Sequence, residues 1–229
     1  MSTYTTPLFI EFKKNSNPSN AKGMKAYMLH QFEFYGIKTP LRDSIVKAFL
    51  KENILTKVGA LEKVMKELWC SDQRELQYAA IDIFTAHQHL WNEQSITLIH
   101  YCITHKSWWD SVDSIASDWL GLFFKLYPEL TLPITKGWNE SSNIWLQRSS
   151  ILFQKAAKKN TNTQLLSNYI LNLRTSKEFF VQKAIGWALR EFSKTNPDWV
   201  IKFVQKNDLA PLSKREALKR IQKKIPSNF

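Results

Sequence analysis

Three charged residues of this chain recur at one spacing, with Asp113, Arg148 and Lys183 each 35 residues apart. Further back, the same phase falls on Tyr78 and, one unit earlier, on Asp43. If these positions are equivalent in a structural repeat, their side chains stack in a row on one surface. A row of this composition favours an anionic ligand, with one carboxylate placed among bases.

The residues around this row repeat with the same period. The positions that mark it are Gln77, Val112, Gln147, Gln182 and Ala217. A period in this range is typical of a helical solenoid, in which each unit buries its apolar face against its neighbours. The tetratricopeptide pattern of Trp, Leu-Gly and Tyr is absent, which favours HEAT-like repeats.

We therefore predict an all-α fold, an α-solenoid of HEAT-like repeats whose helices pair antiparallel and whose concave face is basic. We expect a single domain over residues 1–229 with a repeat core of about 17–224. Pro18 and Pro40 each follow a residue that can cap a helix, Asn17 and Thr39. Four further starts are predicted from capping boxes, at Asp72–Glu75, Ser107–Asp110, Thr175–Glu178 and Ser213–Glu216. The segment Tyr4–Phe12 is ambiguous between helix and strand.

Composition narrows the classes of partner. The net charge of +12 and the pI of about 9.6 favour a polyanion, nucleic acid first and an acidic membrane second.

With 6 glycines there is no glycine-rich phosphate loop, and 2 cysteines are too few for a disulfide scaffold. No apolar run approaches the roughly 18 residues of a membrane span. We expect a soluble protein of the cytoplasm.

A metal site is not expected. The candidate ligands are His87, His89, His100, Cys102 and His105. On helices, neighbours two positions apart point in different directions, and no Cys-x-x-Cys pair is present.

Trp109 and Asp113 are predicted to share one face of a helix running from Trp108 to about Leu126. They are four residues apart, and their face is turned about 100° from the apolar stripe. An indole and a carboxylate would then stand side by side. The alternative is that Trp109 packs on the next repeat and Asp113 is a solvated acid. The residues expected in the buried stripe are Val112, Ile115, Trp119, Leu122 and Leu126.

Arg148 lies within an apolar stripe of a helix predicted from Ile144 to about Lys158. A buried guanidinium needs an anion or a hydrogen-bond acceptor. Asp113 and a ligand phosphate are both candidates, and the sequence does not choose between them.

A third helix, predicted from Lys177 to Lys194, has a tryptophan within a cationic stripe. The stripe is Lys183, Trp187, Arg190 and Lys194. This pattern favours base stacking or sugar contact flanked by phosphate-binding cations. The alternative is a cation–π pair within the protein. Lys214, at the predicted start of a further helix, is also a candidate phosphate ligand.

Four strings of this sequence resemble the AlkD-type DNA glycosylases, the DNA alkylation repair family built from HEAT-like repeats. The strings are Lys106–Ser114, Asn143–Arg148, Ser176–Trp187 and Leu209–Glu216. The resemblance runs from about residue 20 to 222. It implies a monofunctional glycosylase of base excision repair that removes cationic alkylpurines, such as 3-methyladenine and 7-methylguanine, from duplex DNA.

The resemblance also implies roles for particular residues. The family's catalytic aspartate corresponds to Asp113, its paired tryptophans to Trp109 and Trp187, and its DNA-binding arginine to Arg148. Tyr27 and Lys38 match two further positions of the family pattern. The implied partner is double-stranded DNA, reached through the sugar-phosphate backbone, with no metal, cofactor or membrane. We expect a monomer in a bacterial-type cytoplasm. The alternatives are a HEAT-repeat protein-interaction scaffold and a catalytically silent DNA-binding protein.

Overall fold

A computed structural model describes residues 2–222 of the chain, and this range contains helices and no β-strand. The α-helices are α1 (Thr6–Lys14), α2 (Pro18–Tyr27), α3 (Thr39–Glu52), α4 (Val58–Cys70), α5 (Arg74–Ala86), α6 (Ser95–Thr104), α7 (Trp109–Ser114), α8 (Gly121–Leu126), α9 (Thr131–Asn139), α10 (Ile144–Leu152), α11 (Thr163–Leu173), α12 (Phe179–Phe192), α13 (Pro197–Lys206) and α14 (Pro211–Gln222). The all-α prediction is confirmed. The ambiguous N-terminal segment is helical, as α1.

Backbone contacts divide the chain into two compact units, one ending at Leu98 and the other beginning at Ile99. The expectation of a single domain remains a prediction. Tyr27 and Lys38 belong to the first unit, whereas the other candidate site residues belong to the second. No helix within residues 2–222 is long and apolar enough to cross a membrane.

The second unit shows the packing that the repeat period predicts. Helix α7 contacts α10, α10 contacts α12, and α12 contacts α14. The intervening helices pair with them, α9 with α10 and α13 with α14. Positions 35 residues apart therefore lie on neighbouring helices of one layer.

The recurring glutamines explain part of the period. Gln77, Gln147 and Gln182 each donate a side-chain hydrogen bond to the carbonyl six residues earlier, at 2.8, 2.7 and 2.9 Å. The acceptors are Ser71, Ser141 and Ser176, in the turns that precede α5, α10 and α12. Buried carbonyls at such turns need a donor. The repeated glutamine thus fixes the approach to each helix.

Several helices begin close to the predicted positions, but their cap residues differ from the predicted ones. Asn17 does cap α2, accepting from the Asn20 amide at 3.0 Å. Thr39, however, is the first residue of α3, with Lys38 at the cap position. The cap positions of α7 and α12 fall on Trp108 and Glu178, which make no side-chain cap, the cap position of α5 falls on Gln73, and α14 begins at Pro211.

The acid of the first box has another role. The Glu75 carboxylate accepts hydrogen bonds from the backbone amides of Tyr35, Gly36 and Ile37, at 3.1, 2.8 and 3.1 Å. Gly36 has a φ of +88° and its Cβ position would lie 2.0 Å from the Asn17 carbonyl oxygen, so only glycine fits there. Glu75 therefore holds the loop that leads into α3.

Candidate active site

A π-helical turn follows the candidate catalytic aspartate. Helix α7 continues into a π-helix over Ile115–Leu120 and then into α8 without a break. The Ser117 hydroxyl donates to the Asp113 carbonyl oxygen at 2.7 Å. Single π turns inside α-helices are frequent at functional sites, because they re-aim the side chains around them.

The buried stripe predicted for this helix is partly wrong, because the π turn lies within it. Val112, Ile115 and Trp119 are buried, as expected. Leu126, however, is 56% exposed, and the buried residues of α8 are Phe123 and Phe124. A π turn uses more residues than an α turn, so the positions after it rotate relative to a continuous α-helix.

Asp113 and Arg148 form a bidentate ion pair. Arg148 Nε donates to Asp113 Oδ1 at 2.6 Å and Arg148 Nη2 donates to Asp113 Oδ2 at 2.8 Å. The Arg148 side chain is 1% exposed and that of Asp113 is 14% exposed. The buried guanidinium therefore finds its anion within the protein, on the helix one repeat earlier. Helix α10 ends at Leu152, six residues before the predicted end.

Arg148 has a third contact, since its Nη1 donates to the carbonyl oxygen of Phe180. The Phe180 ring packs against Trp108 and Trp145, with centroid distances of 5.1 and 4.9 Å. These aromatic rings come from the starts of three successive repeat helices. Three hydrogen bonds to two partners thus hold the guanidinium, and the plane of the Asp113 carboxylate is fixed with it.

Trp187 lies in a cluster of cations. Within the described residues, four cationic groups lie 6.0 Å or less from its ring centroid. They are Arg148 at 5.2 Å, Lys183 and Arg190 at 5.7 Å each, and Lys155 at 6.0 Å. Its indole Nε1 is buried and has no hydrogen-bond partner among residues 2–222. The predicted stripe and the alternative cation–π contact are both present.

Two of these cations share an acid that the sequence analysis assigned to a helix cap. Glu216 of α14 accepts from Lys183 Nζ at 2.9 Å and from Arg190 Nη1 at 2.8 Å. Glu216 lies 33 residues after Lys183, close to the repeat period, and this spacing was the available signal. Lys194 pairs with Glu191 at 2.6 Å. Lys155, which the sequence analysis also missed, has no carboxylate partner in the described part of the chain.

The remaining candidates are placed as follows. Trp109 opens α7, one turn before Asp113, and is half-buried. Tyr27 ends α2 and is 69% exposed, and Lys38 is exposed at the cap of α3.

Lys214 does not stand at a capped helix start. Pro211 begins α14, as proline favours the first turn. The Ser213 hydroxyl, expected to cap the helix, instead donates to the Gln182 carbonyl oxygen at 2.9 Å. Lys214 itself contacts Asp208 at 3.3 Å.

The histidines considered as metal ligands show other contacts. His87 Nε2 accepts from the Leu55 amide at 2.9 Å, which leaves the ring proton on Nδ1 to donate to the Ile83 carbonyl oxygen at 2.8 Å. Burial lowers the pKa of His100, with a smaller contribution from His105. Across residues 2–222, no cluster of three or more His, Cys, Asp or Glu side chains could hold a metal ion.

Comparisons with known proteins show which family the chain is similar to. The family model for the DNA alkylation repair enzyme matches residues 10–221. A solved structure described as a predicted DNA alkylation repair enzyme from Enterococcus faecalis is 35% identical, with a TM-score of 0.83, covering 91% of this chain and 97% of that chain. Among curated proteins, none matches. The chain belongs to the DNA alkylation repair enzyme family.

Proposed function

We propose that this protein is a monofunctional DNA glycosylase that hydrolyses the N-glycosidic bond of cationic N3- and N7-alkylated purines, such as 3-methyladenine and 7-methylguanine, in duplex DNA. Its family gives it a role in DNA alkylation repair, with DNA as its substrate. The observation that carries the finer proposal is the Asp113 carboxylate, which is held rigidly by Arg148 in a helix layer shared with Trp187 and its cations.

The chemistry needs a fixed negative charge more than a strong acid. Alkylation at N3 or N7 makes the purine cationic, so the base leaves with the bonding electron pair as a neutral molecule. The sugar left behind develops positive charge at C1′, and water then attacks that carbon and loses a proton. A carboxylate that is already oriented stabilises the sugar cation without reorganising at the moment of reaction.

The Arg148 contact leaves Asp113 able to do this. A carboxylate has about four lone-pair sites on its two oxygens, and Arg148 uses one on each. The remaining lone pairs can face the sugar cation or orient the attacking water. Arg148 is therefore proposed to position Asp113 rather than to bind a phosphate directly, because its guanidinium is almost fully buried.

The tryptophans and the cations have complementary roles. The negative face of an indole attracts a nearby cation, so Trp109 and Trp187 are proposed to flank the sugar. Lys155, Lys183 and Arg190 are proposed to contact phosphates and fix the register of the strand. Tyr27, Lys38 and Lys214 remain proposed DNA contacts, on the family pattern or on charge alone. We propose that the protein acts as a monomer without a cofactor.

Binding to undamaged duplex DNA is expected to weaken steeply with salt, with a log–log slope on the order of −4 to −8, because phosphate contacts release counterions. Lys155→Met is expected to make that slope shallower by about one, since Lys155 has no carboxylate partner in the part of the chain that the structure describes. Fluorescence anisotropy with a labelled duplex over a salt series measures both. An affinity that does not change with salt would exclude nucleic acid as the partner.

The product of the reaction tests the proposed activity. Duplex DNA treated with a methylating agent is incubated with the protein, and the released bases are identified by mass spectrometry. We expect free 3-methyladenine and 7-methylguanine, with strands that break only after alkali treatment. Tight binding with no release above spontaneous depurination identifies a silent DNA-binding protein instead. If the protein neither binds the DNA nor releases a base, the result favours a protein-interaction scaffold.

A further inference from the structure

Glu216 is a buried acid beneath two partly exposed cations. Its side chain is 8% exposed, whereas Lys183 is 24% exposed and Arg190 is 31% exposed. One carboxylate oxygen accepts from Lys183 and the other from Arg190. Each cation keeps further N–H groups that Glu216 does not use. The buried Glu216 carboxylate therefore holds both partly exposed cations in place and leaves other N–H groups of each cation free to donate.

The position of Glu216 is fixed by close packing between α12 and α14. A Cβ at Gly186 of α12 would lie 2.5 Å from the Cβ of Glu216 and 3.0 Å from the Ser213 carbonyl oxygen. Only a glycine therefore allows α14 to come this near. The hydrogen bond from Ser213 to the Gln182 carbonyl oxygen joins the same two helices one turn away.

Both anchored cations flank Trp187 on α12. Lys183 is one turn before the indole and Arg190 one turn after it, each 5.7 Å from the ring centroid. Two long cationic side chains so close together repel each other and move freely in water unless an anion holds them. The hydrogen bond from Lys183 lowers the pKa of Glu216, so the anion is present at neutral pH.

We propose that Glu216 is a positioning residue of the excision site, which holds Lys183 and Arg190 beside Trp187 so that their free N–H groups meet the phosphates next to the lesion. The inference rests on the proposed glycosylase activity. A simple countercharge would only reduce the attraction of this cluster for DNA. In the proposed role, Glu216 instead supports excision.

Glu216→Gln separates these roles because it keeps the shape against Gly186 and removes the charge. The amide can accept from one cation but presents its NH₂ group to the other. We expect single-turnover excision of 7-methylguanine to slow about tenfold, as one misplaced phosphate contact does when it shifts the reacting geometry. Affinity for undamaged duplex is expected to stay equal or rise, because the net charge of the cluster increases by one.

A mutant cycle shows whether Glu216 acts through its two partners. In a Lys183→Met, Arg190→Met background, adding Glu216→Gln is expected to change the excision rate less than twofold. A residue that only stabilises the packing of α12 on α14 would slow excision equally in both backgrounds, and that result overturns the proposal. Excision by Glu216→Gln at the wild-type rate overturns it as well.

A second variant and a spectroscopic measurement test the same positioning role. If Glu216→Gln does not fold, Glu216→Asp replaces it, because the shorter side chain keeps the charge but cannot reach both cations. Wild-type excision by that variant contradicts the proposal. The Arg190 Nη1–H signal in a ¹H–¹⁵N spectrum is expected to be protected from solvent exchange in the wild type, because Nη1 donates to Glu216, and lost in Glu216→Gln. This signal tests the positioning even if the wild type releases no base, an outcome that would reject the proposed function separately.

Discussion

Asp113→Asn is expected to slow excision of 7-methylguanine roughly 10²–10³-fold while the variant still binds duplex DNA. The substitution keeps the shape of the side chain and removes the negative charge that opposes the developing sugar cation. Its amide still accepts one hydrogen bond from Arg148, so the site keeps most of its structure. The measurement is base release in a single turnover at saturating protein, which separates chemistry from binding.

Asp118→Asn is a matched control for this variant. Asp118 is exposed in the π-helical segment after Asp113 and accepts a hydrogen bond from the Ser114 hydroxyl at 3.1 Å. Its substitution removes the same charge a short distance along the helix, so excision at the wild-type rate is expected. Spontaneous depurination of the methylated duplex is subtracted in each case. An Asp113→Asn variant as fast as wild type makes Asp113 a structural partner of Arg148 and nothing more.

Arg148→Met is expected to lower the free energy of unfolding by about 3–5 kcal/mol, because it leaves the largely buried Asp113 carboxylate without its partner. The Phe180 carbonyl oxygen loses a donor at the same time. Excision is expected to fall about as far as in Asp113→Asn, since the carboxylate is no longer held in one plane. Denaturant unfolding and single-turnover release measure the two effects on the same samples.

Arg148→Lys distinguishes the charge of Arg148 from its geometry. An ammonium group restores a positive charge but cannot donate two parallel hydrogen bonds to one carboxylate. We expect part of the stability to return while excision stays low. Affinity for undamaged duplex is expected to change little in either variant, because the guanidinium is buried. Full activity of Arg148→Lys, or a large loss of affinity in both variants, contradicts the positioning role.

Much of the second unit could be predicted from the period. A repeat of 35 residues places Asp113, Arg148 and Lys183 on corresponding helices of successive repeats, and these helices are neighbours in the structure. The pattern could not decide what Arg148 contacts, because a sequence spacing does not fix the direction of a long side chain. The structure supplies the bidentate pair with Asp113.

Glu216 shows how a local sequence pattern can predict the wrong contact. Ser213 and Glu216 have the spacing of a capping box, and that spacing is a local signal. In the structure both side chains instead contact α12, where Ser213 donates to a backbone carbonyl and Glu216 binds two cations. Tertiary partners on a neighbouring helix outweighed the local cap. The same holds for Glu75, whose carboxylate binds the loop at Tyr35–Ile37.

The π turn after Asp113 was not predictable from hydrophobic periodicity. A 3.6-residue period extrapolated from Val112 and Ile115 predicts burial at Leu122 and Leu126. The structure buries Phe123 and Phe124, because the register changes within Ile115–Leu120. Bulky aromatic residues next to the predicted positions were the available sign that the phase shifts.

The affinity for a cationic sugar mimic tests the central claim most directly. One duplex carries a protonated pyrrolidine in place of a deoxyribose, and a matched duplex carries a neutral tetrahydrofuran. A site complementary to the sugar cation binds the charged mimic more tightly, because that mimic resembles the transition state. We predict at least about tenfold tighter binding of the pyrrolidine duplex by the wild type, and no such preference in Asp113→Asn. Equal affinities in the wild type, or a preference that persists in Asp113→Asn, would contradict the account.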